Sequence, residues 1–385
     1  MIQMNKTEAI SLILSSQGLH QKDFFGLGKA GALKALEQIG YVQIDTISVV
    51  ERAHHHVFHS RVSDYHPQHL HEMVSLDKTA FEYWSHAAAY LPMRDFRFSL
   101  IRKQRFSSGE SFWFKETPEH KKIRKQILTR FKREGALSTN DFQVRSTEVK
   151  GWFQRTPEKQ VLEQLFAEGV LMVKERRGFQ KIYDITENIL PTKVNTKTPT
   201  MKEYAKHLIL SSLKAQGLLN AKEIAYLRVK NVGEAVRLKL NELLKQGRIV
   251  TVQIDQVEGL YYALPDALES LDDSNRPLER FVALSPFDNL VIQRKRLKDI
   301  FNFDYQIECY VPKAKRKYGY FSLPLLKGSE FIGSVDTKAE RSQKELWIQN
   351  FYVTKKKAFK KKDLEGCLRP FAEFNQCEKI LWSLG

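Results

Sequence analysis

One apolar pattern occurs three times along the chain. Leu33, Leu36 and Gly40, then Leu162, Leu165 and Gly169, then Leu240, Leu243 and Gly247 share the spacing L-x-x-L-x-x-x-G. Each glycine is followed by an extended apolar run: Tyr41-Val42-Gln43-Ile44, Val170-Leu171-Met172-Val173 and Arg248-Ile249-Val250-Thr251-Val252. The leucine spacing puts a stripe on one helix face, the glycine ends the helix in the left-handed conformation, and the following run is a strand. A second echo precedes two of these units. Ile127-Leu128 lead through Phe131-Lys132 and Gly135 to Leu137-Ser138 and Asp141-Phe142; Ile209-Leu210 lead through Leu213-Lys214 and Gly217 to Leu219-Asn220 and Glu223-Ile224. Ser138 and Asn220 are suited to cap a short second helix.

The pattern continues into hairpins. Val170–Val173 is expected to pair with Lys181–Ile185 across Arg176-Arg177-Gly178, and Ile249–Ile254 with Leu260–Ala263 across Val257-Glu258-Gly259. Helix, turn, helix, helix and hairpin make a winged-helix module, whose common use is binding DNA and whose other use is packing or protein contact. The first unit is less regular: Ile10–Gln17, then Lys29–Ile39, then the strand at Tyr41. Val194–Thr200 and Ser270–Arg276, the latter ended by Pro277, are polar and read as linkers. Beyond them Phe281–Ile292, Tyr305–Val311, Tyr318–Leu323, Phe331–Val335 and Leu346–Val353 are short and β-rich, which predicts a small antiparallel barrel or sandwich. A last helix is expected within Leu364–Cys377, with Pro370 marking a break or a fresh start. The fold class is therefore α+β, with two winged-helix units, a less regular first unit and a C-terminal antiparallel β-rich domain. The boundaries are 1–118, 119–193, 200–266 and 277–385, and a chain of 385 residues accommodates that number of domains.

Charge narrows the partners. Lys and Arg number 62 against 45 Asp and Glu, for a net charge of +17, and such an excess attracts polyanions, nucleic acid first among them. No stretch approaches the ~20 apolar residues of a membrane helix. The apolar run in Met1–Ser16 lacks a small-residue cleavage site, so no signal peptide is expected. Cys309, Cys367 and Cys377 lie far apart and read as reduced thiols of a cytoplasmic protein.

Three features can carry chemistry. Gln43 and Asp45, two apart on a strand, would share a face with Ile44 turned inward. A carboxylate beside a carboxamide can hold a water, and the carboxylate can stabilise a sugar cation or take a proton. Gln and Asp also occupy solvated strand faces, and the residues alone do not choose. Eight of the eleven histidines lie between positions 54 and 86. His54, His55, His56 and His59, with Arg61 and His86, are candidates for DNA contact and packing. His55 and His59 have a metal-compatible helical spacing, but nothing supplies a third ligand of defined spacing, so no metal or other cofactor is expected. The basic runs are Lys355-Lys356-Lys357, Lys360-Lys361-Lys362 and the cluster Lys313, Lys315, Arg316, Lys317. Such runs are usually solvated surface, and here they add to a positive field. Arg176-Arg177-Gly178 is a candidate wing tip or a solvated turn.

Several separated motifs, in order, resemble one family. Tyr41-Val42-Gln43-Ile44-Asp45-Thr46-Ile47 with Arg52-Ala53-His54-His55-His56, Tyr83-Trp84-Ser85-His86-Ala87, Leu284-Ser285-Pro286-Phe287-Asp288-Asn289-Leu290 and Tyr318-Gly319-Tyr320 resemble the AlkZ/YcaQ family of bacterial winged-helix DNA glycosylases, from about Ile10 to the end of the chain. The match is closest to the YcaQ branch, which carries Q-Φ-D where the other branch carries Q-Φ-Q. The resemblance implies three winged helices scaffolded on a β-barrel, C-shaped around a basic channel for duplex DNA, with Gln43 and Asp45 as the catalytic pair. It implies excision of N7-alkylated purines and unhooking of interstrand crosslinks; because a crosslinked base cannot be flipped freely, a more open site is expected. No lyase activity is expected, since no lysine stands in a nucleophile's position. A monomer in the cytoplasm, associated with the nucleoid, is expected. Two rival functions are a winged-helix transcriptional regulator without catalysis, and a metal-dependent hydrolase using His54–His59.

Overall fold

The computed structural model describes residues 1–109, 117–142, 156–269, 271, 280–354 and 360–383. The fold is mixed α+β and divides into two compact units. One is Met1–His69 with Ser85–Ala89 and Ala205–Gly385; the other is Leu70–Trp84 with Tyr90–Tyr204. Lys355–Lys357 and, apart from Leu271, the linker Ser270–Pro277 lie outside the described residues.

In the first unit Asn5 opens the helix Lys6–Ser16 with a reciprocal cap: its side chain accepts the Glu8 N–H at 3.0 Å, and the Glu8 carboxylate accepts the Asn5 N–H at 2.9 Å. The helix Gly28–Ile39 stops at Gly40, whose φ of 79° is the left-handed turn anticipated for a glycine there. The helix Lys230–Lys245 is followed by Gly247 at φ 64°, and then by the expected hairpin of Val250–Ile254 with Tyr261–Ala263. Asn220 caps the short helix Ala221–Ile224, as its residue type predicts. The strand Ile2–Met4 pairs in parallel with Val250–Ile254 and has no counterpart in the apolar pattern.

The C-terminal part of this unit is a five-stranded sheet curled into a half-barrel, ordered Phe281–Ala283, Ser322–Lys327, Glu330–Glu340, Glu345–Val353 and Lys379–Trp382. Bulges at Leu325/Leu326 and Asp336/Thr337 bend it. The first three pairings are antiparallel, but Lys379–Trp382 runs parallel to Glu345–Val353, so the sheet is not purely antiparallel as expected. The helix Lys361–Phe374 supplies Leu364, Leu368 and Phe371 to the core beneath the sheet, and it runs through Pro370 without a break.

One segment expected as a strand is a loop and two others are loops in part, for a physical reason. Tyr305–Val311 forms no strand: its Glu308 carboxylate accepts the N–H groups of Lys317 (2.9 Å), Tyr318 (2.6 Å) and Gly319 (3.1 Å). Asp336 likewise takes the N–H groups of Tyr320 and Phe321, at 2.8 and 3.2 Å. Side-chain carboxylates here serve backbone donors that a neighbouring strand would otherwise have to satisfy. Beyond Ala283, the Phe281–Ile292 stretch likewise turns inward, with Ser285, Asp288 and Asn289 fully buried.

Those residues belong to a buried polar knot. Arg61 and Asp288 pair at 2.7 Å with no exposed surface on either side chain. The same guanidinium donates to the Gln17 carbonyl and Gln17 Oε1, both at 2.9 Å, and to the Val57 carbonyl at 3.1 Å. Asn289 Nδ2 donates to the carbonyls of Ile39 (3.2 Å) and Tyr41 (3.1 Å).

The second unit contains the helices Phe96–Ser107, Pro118–Glu134 and Pro157–Glu168. It also holds the 3-10 turn Thr139–Phe142, which follows Ser138, and the hairpin of Leu171–Arg177 with Gln180–Ile185. Thr117-Pro118 and Thr156-Pro157 start their helices with a hydroxyl cap and a proline in the first turn. Ile127, Phe131, Leu162, Leu165, Val173 and Tyr183 form one core. Gly169 is doubly constrained: its φ is 79°, and a Cβ there would lie 2.5 Å from the buried Lys103 side chain. The Lys103 amine rests against the rings of Phe96 (3.8 Å) and Tyr83 (4.8 Å), and burial pushes it down to about 7.

Removing one partner of the Arg61–Asp288 pair leaves the other charged and dry. Asp288→Ala is expected to lower stability by about 3–5 kcal/mol, whereas the double change Arg61→Met with Asp288→Leu recovers most of it. Urea denaturation of both variants checks this; equal loss in the single and double variants would contradict it.

Candidate active site

Gln43 closes the strand Val42–Gln43, three residues after the Gly40 turn. The chain reaches it under two constraints: the Asn289 bond to the Tyr41 carbonyl, and the Ile44 N–H donated to the Ala88 carbonyl at 2.8 Å. The Gln43 carboxamide oxygen lies 3.1 Å from His86 Nε2. The His86 ring meets the edges or tilted faces of two tyrosines, Tyr41 at 5.1 Å and Tyr226 at 5.5 Å between ring centres. Burial, with the Arg228 charge in support, pushes His86 down to about 4, so at neutral pH it is an uncharged imidazole. Arg228 anchors the same turn, donating to the Ser85 carbonyl at 2.6 Å and to Ser85 Oγ at 3.1 Å.

Asp45 is half-buried just past the strand end. Strand alternation does not set its direction. Its Oδ1 accepts the Ile47 N–H at 2.8 Å, a local side-chain turn that fixes the carboxylate. Burial pushes the Asp45 carboxyl up, against the opposing pull of the Ile47 and Thr46 N–H groups. Its charge reaches the Cys309 thiol and the Tyr310 phenol, and Tyr310 is 81% exposed. Ile47, Val50, Ala53, Ile307, Tyr320 and Phe321 share one apolar cluster, which seats the Asp45 segment beside the Glu308-stitched loop. The Ala339 N–H, donated to the Val49 carbonyl at 2.8 Å, adds a backbone tie from the half-barrel. A held carboxamide and a half-buried carboxylate two residues apart can position a water and oppose a developing positive charge.

Most of the expected DNA contacts have other partners. Arg61 has no exposed side-chain surface; it belongs to the core knot, and its expected contact with DNA is corrected on that ground. His54 and His56 are buried. His56 Nε2 bonds the Ala283 carbonyl at 2.9 Å, His55 Nδ1 bonds the Tyr65 hydroxyl at 2.8 Å, and His59 stacks on Phe374 at 4.2 Å. Burial pushes His55 and His59 down to about 3 and His56 down to about 4. These rings pack the helix Ala53–His59 against the half-barrel and its helix as neutral groups, the packing half of the expectation. Arg176 is not at the hairpin tip: the turn is Gly178-Phe179, and Arg176 grips the buried Glu82 with two bonds of 2.8 Å while Lys181 pairs with the same carboxylate. Arg177 remains outward, its side chain 74% exposed and paired with Glu175 at 2.9 Å. His86 joins Gln43 directly. Tyr226 and Arg228 are functional candidates that sequence reasoning missed; they lie some 140 residues from His86, and no local pattern links them.

A family model for DNA glycosylase AlkZ-like proteins matches residues 36–374. The solved structure of the Streptomyces sahachiroi DNA glycosylase AlkZ is similar over all of both chains, with a TM-score of 0.65 at 15% identity, which shows a shared fold. No helix among the described residues is long and apolar enough to cross a membrane.

The depressed histidines set a pH dependence. Unfolded, each ring takes a proton near 6.5; folded, His55, His56 and His59 take theirs only at about 3, 4 and 3. Between those values the unfolded chain binds more protons, so stability falls as pH falls, by up to about 1.4 kcal/mol per pH unit for each ring. The melting temperature should therefore decline between about pH 6.5 and pH 5, with a shallower slope for His59→Phe. A flat profile over that interval would exclude neutral buried rings.

Proposed function

The chain belongs to the AlkZ-like family of DNA glycosylases, and from that premise we propose that it hydrolyses the N-glycosidic bond of N7-alkylated purines in duplex DNA and unhooks interstrand crosslinks, with Gln43 and Asp45 as the reacting pair. The observation that carries the reading is the held pair itself: a carboxamide bonded to a neutral His86, beside a half-buried carboxylate fixed by the Ile47 N–H.

An N7-alkylated purine is already cationic and leaves without being protonated. The protein's tasks are then to hold the sugar, oppose positive charge at the anomeric carbon and place a water. Asp45 suits the charge and base roles. With His86 Nε2–H donating to its oxygen, Gln43 keeps its NH₂ group for a water or a sugar oxygen. A neutral His86 positions Gln43 and is a poor acid, as fits a leaving group that needs no proton. We place the chain with the Q-Φ-D branch, whose range of substrates is the broader one, and expect no lyase step.

Both helical segments that end in a hairpin have the element order of a winged helix: Pro118–Glu134, Thr139–Phe142 and Pro157–Glu168 with their hairpin, and Met201–Gln216, Ala221–Ile224 and Lys230–Lys245 with theirs. We read them as DNA-binding modules within the division 1–118, 119–193, 200–266 and 277–385, acting as a monomer. Arg177 is the exposed cation at the first hairpin's tip and suits a phosphate.

The test is base release from a duplex carrying N7-methylguanine, in EDTA. Wild type should release free base, and borohydride should trap no enzyme–DNA adduct. Asp45→Asn should lose at least about 100-fold in rate with DNA binding kept. His86→Phe should lower kcat by about 10–100-fold through misplacement of Gln43, with KM little changed. DNA binding without release from either this substrate or a crosslinked duplex would overturn the reading in favour of a regulator.

A further inference from the structure

The turn between the helices Ala221–Ile224 and Lys230–Lys245 is pinned on both sides to the site. Tyr226 sets its ring at a tilt against His86, and Arg228 bonds Ser85 twice. Between these two anchors stands Leu227, with φ at 53° and 68% of its surface exposed. A left-handed backbone is one that glycine adopts freely and leucine does not, and an apolar side chain gains nothing from facing water. Backbone strain of this kind persists where the surroundings enforce it, and it concentrates at functional sites. Val229, 42% exposed, extends the apolar tip, and the exposed Lys222 and Lys230 flank it in sequence.

We infer that Leu227 is an apolar wedge that enters the base stack of duplex DNA beside the lesion. Three features on the same turn point to DNA as the occupant. The tip is apolar and lacks hydrogen-bonding groups, as suits insertion between bases of any sequence. Its base is rigid, so insertion is not offset by ordering a loop. Lysines flank it in a chain of net charge +17, where a duplex brings phosphates. Unstacking at that step would bend the duplex and expose the glycosidic bond to Gln43, which His86 connects to the turn. The inference rests on the reading of Gln43 and Asp45 as the reacting pair.

The experiment uses the full chain and a duplex with 2-aminopurine next to N7-methylguanine, and a matching undamaged duplex. Leu227→Ala removes the wedge, Leu227→Gly removes it and relieves the backbone, and Leu227→Met keeps apolar bulk. Wild type and Leu227→Met should raise 2-aminopurine fluorescence on binding. The Ala and Gly variants should lose the rise and release base roughly tenfold more slowly at saturating DNA, while Leu227→Gly melts no lower than wild type. Wild-type rates and fluorescence in the Ala and Gly variants would overturn the wedge and leave the glycosylase reading standing. If wild type releases no base from this duplex or from a crosslinked one, the catalytic reading fails and fluorescence alone decides the wedge: a rise lost in Leu227→Ala supports it, and no rise in wild type overturns it. A wild-type dimer that Leu227→Ala dissociates would assign the leucine to contact between copies and also overturn it.

Discussion

The first unit depends on the Arg61–Asp288 pair, because both charges are wholly out of water. Such a pair is tolerable only when its remaining donors and acceptors are also satisfied. Here they are, by Gln17, Val57 and the Leu290 N–H, which bonds Asp288 at 2.9 Å. The requirement of full satisfaction is what gives the pair its structural reach. It fixes the helix Ala53–His59, the end of the helix Lys6–Ser16 and the Ser285–Leu290 turn relative to one another. Asn289, next in sequence to Asp288, then reaches the Ile39 and Tyr41 carbonyls, so the path of the chain into Gln43 follows from the buried charge pair. A network of this kind contributes more to a single well-defined arrangement than to net stability.

Local physics made part of this legible in the sequence. The L-x-x-L-x-x-x-G repeat encodes a helix, its left-handed stop and the next strand within a dozen residues, and the stops at Gly40 and Gly169 both have φ of 79°. Asn220 as a cap and the two hairpins are equally local. The misses are non-local. Nothing in Ile2–Met4 or Lys379–Trp382 announces that each pairs in parallel with a strand far along the chain. Tyr305–Val311 has strand-like residues, but Glu308 satisfies a distant stretch of backbone and turns the segment into a loop.

The histidines show the same limit from the side of chemistry. By type they are polar and DNA-compatible, and only packing shows that His54 and His56 lie with Val57 and Phe58 inside. The helical spacing of Ala53, His56, Val57 and Ser60 marks one inward face and was the available signal. Gln43 and Asp45 were legible as neighbours, yet their geometry comes from different sources: a strand end for Gln43 and a side-chain turn onto Ile47 for Asp45. The groups that complete the Gln43 side, His86, Tyr226 and Arg228, converge only through the tertiary fold.

The charge arrangement bears on selectivity. A chain of +17 draws in the polyanion without regard to sequence or damage. Within that field His86 is a neutral imidazole and Asp45 supplies an acidic group. On the proposed reading, the carboxylate attracts a cationic alkylated base or sugar, while an undamaged purine brings no charge for it to meet. Discrimination then resides in the charge of the lesion, which a crosslinked adduct at N7 shares with a small methyl adduct. A site that selects by charge in this way has no need to enclose the base, and that is the physical condition for acting on two strands that remain tied together.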